Sequence, residues 1–143
     1  MTGILALRDR VQAAADLPAV LDAAYVAFEE MLTVIQAHQD PGSPLFAGFV
    51  MAAPHAAGGR DAVLFAPSLP ARPLRPARTL AAGEPEQSEA WVAARELAGL
   101  CELVEARLTQ AAGSAAGPQD QSACLDAAAQ ARALRGCLSG SAR

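Results

Sequence analysis

Apolar residues recur every three or four positions over most of the chain, the period of an α-helix with one buried face. The clearest run covers 17–38. Leu17, Leu21, Ala24, Phe28, Met31 and Ile35 form one stripe, and Asp22, Glu29, Glu30, Thr33 and Gln36 fall opposite. Tyr25 and Leu32 widen the apolar side, which predicts two neighbours for this helix. Asp16 is placed to cap it, and Pro18 falls in its first turn, where a missing N–H costs nothing. Asp40-Pro41-Gly42 is a turn sequence and predicts its end.

The same pattern predicts a shorter helix before it, over 3–15, with Thr2 as cap and Ile4, Leu7, Val11 and Ala14 as stripe. Ser43 and Pro44 open a third helix whose apolar face is Leu45, Phe46, Phe49, Val50 and Ala53. Pro54 predicts a kink or break, and Gly58-Gly59 predicts the end of that helix. Asp61 then caps one more turn over 62–66. That run also fits a short buried strand, but no partner strand is visible, which favours helix. A fourth helix is predicted over 85–111, opened by acidic residues and carrying Ala90, Ala94, Leu97, Cys101, Val104 and Leu108 as its stripe. The last runs over 118–138, opened by Gly117 and Pro118, with Cys124, Ala127, Ala131, Leu134 and Leu138 inward.

One stretch breaks the helical period. Pro67, Pro70, Pro73 and Pro76 recur every third residue, and so do Arg72, Arg75 and Arg78. A polyproline II strand has three residues per turn, so the arginines share an edge, about 9 Å apart. Such a ribbon reaches about 37 Å in twelve residues, against about 33 Å for the longest helix. It can therefore return along a bundle and leave the third and fourth helices parallel. The predicted fold is one all-α domain: a bundle of four main helices plus a short N-terminal helix, with a Pro/Arg-rich crossover over 67–84.

Composition narrows this. At 143 residues the chain fits one domain, and 52% hydrophobic against 18% charged residues describes a folded globule. Few aromatics and many alanines predict helices that approach closely. All 11 basic residues are arginine, as in a GC-rich coding sequence, and the absence of lysine excludes Schiff-base and P-loop chemistry. A net charge of −4 argues against a nucleic-acid partner. No apolar run is long enough to span a membrane, and residues 1–10 lack the basic start of a signal peptide. An odd number of cysteines points to reduced thiols and a cytoplasmic protein.

Candidate chemistry is sparse. His55 and Asp61 flank the double glycine, and His38 ends the long helix, but two histidines without clustered carboxylates make a poor ligand set. The spacing of Cys101, Cys124 and Cys137 matches no zinc pattern, and neither Ser68 nor Ser114 sits in a nucleophile elbow. The expectation is no catalytic residue, no metal and no cofactor.

Binding features are more numerous. Arg72, Arg75 and Arg78 form either a docking edge for carboxylates or phosphates or part of a stiff crossover strapped to its own bundle with Leu69 and Leu74 inward. The usual structural role of long connections favours the strap. Trp91 is either an anchor for a partner or a cover over the ribbon, and the rarity of isolated exposed tryptophan favours the cover. Phe28, Met31, Phe46, Phe49, His55 and Phe65 either line a pocket beside Pro54 or form the thick part of the core, the plainer reading. The function expected is that of a non-enzymatic helical module that binds another protein, with a second copy of itself, a homodimer, among the partners. The alternative is a binder of small apolar ligands.

Overall fold

The computed structural model describes residues 3–70 and 87–141, and these form five helices and no strand. They are α1 (Gly3–Ala13), α2 (Leu17–Ala37), α3 (Phe46–Leu64), α4 (Gln87–Ser114) and α5 (Pro118–Ser141). Four of them close a ring in the order α2, α3, α5, α4, and α1 packs on the outside against α2 and α4. The expected all-α bundle with a short first helix is the fold observed.

Local chemistry sets both ends of α2 and the start of α3. The Asp16 carboxylate accepts the Ala19 N–H at 2.9 Å and caps α2. After α2, the Asp40 carboxylate accepts the Gly42 N–H at 3.0 Å, which closes the predicted turn. α3 starts later than the Ser43-Pro44 pair predicts. Ser43 Oγ accepts the Leu45 N–H at 3.2 Å and holds a turn ahead of the helix, so α3 begins at Phe46. Two arginines fasten α1. Arg10 pairs with Asp22 of α2, and Arg107 of α4 donates to the Ala14 carbonyl beyond the end of α1, where a cation meets the negative end of the dipole.

Long-range contacts give the directions. His55 Nδ1 lies 2.8 Å from Gln130 Oε1, and Asp120 accepts from Ser68, so α3 and α5 run antiparallel. A short connection turns α4 back into α5. α3 and α4 therefore point the same way from opposite corners of the ring. The connecting residues 71–86, which include most of the predicted ribbon, lie outside the described residues.

The core is built of small groups around a few large ones. Phe28, Met31 and Ile35 of α2, Phe49 of α3, Leu97, Leu100 and Leu108 of α4 and Leu134 of α5 are fully buried. The α4 and α5 sequences add buried Ala90, Ala93, Ala94, Ala123, Ala127 and Ala131. Small side chains of this kind let helix axes approach to the short end of the usual range of about 8–10 Å.

α3 departs most from the sequence reading. It neither breaks at Pro54 nor ends at Gly58-Gly59; one helix runs through both to Leu64, so Asp61 lies inside it rather than capping a new turn. Pro54 is exposed, and the Val50 carbonyl deprived of its N–H donor lies one turn back on the same solvent side, where an unmade backbone bond costs least. The glycines serve packing. A Cβ on Gly59 would lie 2.2 Å from Cε1 of Phe28, so the ring occupies the space a side chain would need. A Cβ on Gly58 would lie 3.0 Å from the Gln130 side chain of α5. The inward face also differs: Gly48, Phe49, Ala52, Ala56, Gly59 and Val63 are buried, whereas Val50, expected inward, points out.

Replacing Gly59 with alanine drives a methyl group into a fixed ring, and the expected cost is about 2–3 kcal/mol of folding stability. Gly136 of α5 has nothing within 4 Å of its would-be Cβ, so Gly136→Ala is expected to stabilise by about 0.5–1 kcal/mol through helix propensity. Thermal and urea unfolding of the two variants should move in opposite directions.

Candidate interaction surface

α3 holds only three polar residues in its length, His55, Arg60 and Asp61. Apolar groups therefore surround its whole circumference, and the bundle buries only one side. At 3.6 residues per turn, Val50, Pro54, Ala57, Asp61, Leu64 and Phe65 share a sector about 100° wide on the side away from α2 and α5, with Met51 on its flank. The large side chains there are open to solvent: Phe65 is 81% exposed, Met51 62%, Leu64 52% and Val50 41%. Pro54 is exposed, and Ala57 and Gly58 between the two bulky ends are half-buried. Arg60 Nε donates to Asp61 Oδ1 at 3.3 Å, so the one cation and one anion of this region neutralise each other. α5 next to it behaves as a surface helix should, with Gln119, Gln121, Ser122, Asp126 and Arg132 outward and Leu125 the large apolar exception.

The far end of α3 is anchored. Ser68 donates to Asp120 twice, from its N–H at 3.0 Å and from Oγ at 2.6 Å. Asp120 is buried in the first turn of α5, where a carboxylate meets the positive end of the helix dipole. Phe65 is thus displayed on a short exit segment tied to the bundle.

The six residues grouped as a pocket do not share one space. Phe28, Met31 and Phe49 are buried in the core, and Phe46 is half-buried at the start of α3. Phe65 stands at the other end of α3, about 28 Å from Phe46 along the axis, and faces water. His55 is half-buried with its Nδ1 engaged by Gln130 across the α3–α5 seam. Trp91 lies near the start of α4 and is 38% exposed, beside exposed Val92. Arg72, Arg75 and Arg78 lie outside the described residues.

Reactive groups are quenched or scattered. Burial pushes the Cys101 thiol up to about 12 and the Cys124 thiol up to about 11, and raises Cys137 as well, so all three stay protonated at neutral pH. Cys101 Sγ rests 3.5 Å from Met31 Sδ in the core. Among the described residues no group of three or more His, Cys, Asp or Glu side chains converges as a metal would require. Glu105 of α4 is engaged by Arg132 of α5 at 2.7 Å and by Arg135 at 3.6 Å, an ion cluster that ties those two helices. No described helix is long and apolar enough to cross a membrane.

The sequence signal for the exposed face was present but spread out. Val50 and Phe65 stood out only as apolar residues, and their outward direction depends on Gly59 and Ala52 taking the inner side. The chain was compared with protein-family models, curated proteins and solved structures, and none of them matches it.

His38 closes α2 and stacks on Phe49, with ring centroids 5.3 Å apart. Burial lowers its pKa below the ordinary 6.5, and the nearby Glu89 carboxylate only partly offsets this. The folded state therefore favours the neutral ring. Stability is complete above the unfolded value of about 6.5 and declines as pH falls through the lower folded value. A His38→Gln variant is expected to show a shallower loss of Tm than wild type between about pH 7.5 and about pH 5, as followed by circular dichroism.

Proposed function

We propose that this protein is a non-enzymatic helical module that works by binding another protein through the outward side of α3. The observation that carries this reading is the exposure of Val50 and Met51 near one end of α3 and of Leu64 and the capping Phe65 at the other. Large apolar side chains exposed at both ends of this side, with Ala57, Gly58 and Asp61 between them, mark an interaction surface, and an aromatic residue such as Phe65 is of a type enriched at interfaces. The occupant this face suits is an apolar protein surface without strong charge, since Arg60 and Asp61 already satisfy one another. The raised cysteine pKa values fit a role without a nucleophile.

The test compares three forms of the chain in co-purification from the native host: wild type, a Met51→Glu/Phe65→Glu double variant and an Arg72→Ala/Arg75→Ala/Arg78→Ala triple variant. The substituted side chains of the double variant are exposed, so its Tm should stay within a few degrees of wild type. Its affinity for a purified wild-type partner should fall about 100-fold or more, because two carboxylates would be buried unpaired. Unchanged binding by the double variant and loss by the triple variant would move the interface to the arginine segment and overturn the reading.

A further inference from the structure

We infer that residues 65–70, the exit from α3, form a latch that opens as a unit while the bundle stays folded. The Ser68–Asp120 contact is its catch, and release uncovers Cys124 and lets Phe65 move.

The catch is the main hold on this segment. Phe65, Ala66 and Leu69 give their backbone N–H groups to Ala62, Val63 and Ala66, all within one turn of the chain, and Pro67 and Pro70 have none to give. The Ser68 N–H instead crosses to α5, 3.0 Å from Asp120 Oδ1, and Ser68 Oγ adds a bond of 2.6 Å to Oδ2. Apolar burial is small. Ala66 contributes one methyl group, Leu69 is partly buried against the core, and Phe65, the largest side chain, is 81% exposed. A stretch with few buried apolar contacts opens at a lower free energy than the whole fold. Val63, two residues before it, is fully buried and marks where the opening stops.

Cys124 lies beneath this segment. It follows Asp120 by one turn on the same face of α5, and the Asp120 carboxylate is close enough to act on its thiol. The antiparallel ties Ser68–Asp120 and His55–Gln130 put Cys124 level with the last turn of α3 and the start of the exit. The thiol is fully buried there. A force on the Phe65 ring therefore acts on the same six residues that seal Cys124, which links engagement of the ring to exposure of the thiol.

Thiol labelling of the full chain under native conditions tests this. Cys101 and Cys124 are buried and protonated, so iodoacetamide modifies them only from opened states. Cleavage after arginine puts Cys101, Cys124 and Cys137 on separate peptides, 96–107, 108–132 and 136–143, so mass spectrometry reads each rate. In wild type, Cys124 should react about 100-fold or more faster than Cys101, with a shallow urea dependence where that of Cys101 is steep. Ser68→Ala should speed Cys124 about 10-fold. Gly59→Ala strains the α2–α3 packing, which the opening leaves intact, and should speed Cys101 alone. Gln121→Gly loosens the exposed side of the first turn of α5 and should leave Cys124 unchanged. Equal rates and urea slopes for Cys101 and Cys124 overturn the inference, because only global unfolding then reaches Cys124. Acceleration of both thiols by Gly59→Ala does the same. A Ser68→Ala variant without effect on Cys124 also overturns it, as does acceleration by Gln121→Gly, which would place the opening in α5.

Discussion

The contact between the Phe28 ring and the bare backbone of Gly59 decides how the bundle is put together. With no side chain at position 59, the ring fits directly against α3. α2 and α3 can then pack closely, and this orients the whole circumference of α3. Ala52, Ala56 and Val63 turn inward with Gly59, and Val50, Leu64 and Phe65 turn outward. One residue without a side chain thus helps settle both the core and the surface.

The remaining helices are positioned by a few polar ties over an alanine-lined interior. Arg107 reaches the end of α1, Arg10 reaches α2, and Glu105 gathers two arginines from α5. The more exposed of these, the Arg10–Asp22 pair, contributes little energy, so its role is to orient α1 on α2. Asp120 differs because it is buried and doubly bonded to Ser68. Losing such a partner costs more than a surface pair, about 1–3 kcal/mol. It holds the end of α3 against the start of α5, and so keeps Phe65 in one place.

The outward side of α3 is left open at a cost in stability. Burying Phe65 or Met51 within the same chain would stabilise it by about 1.5–3 kcal/mol each, yet both face water. Pro54 in the same row gives up a helix hydrogen bond at a solvent-facing position. A helix that is apolar on every side is usually buried on every side. An occupant of the open side, as proposed above, would restore that balance, and the Arg60–Asp61 pair would let it do so without burying net charge.

Much of the architecture was already legible in the chain. The stripes of α2, α4 and α5, the Asp16 cap and the Asp40-Pro41-Gly42 turn are local matters, because hydrophobic spacing and turn chemistry act within one or two turns. The inward placement of Cys101 and Cys124 follows from the same spacing. Where the reading failed, at Pro54, Gly58-Gly59 and Val50, the local rule is sound but a neighbour overrides it. Glycine pairs end helices unless another helix needs the space, and only the fold brings Phe28 and Gln130 there. By itself, the sequence determined that this is an all-α bundle and which helices it contains. Tertiary packing alone decided that α3 is unbroken and which of its apolar sides meets water, because an evenly apolar helix carries no periodic signal of direction.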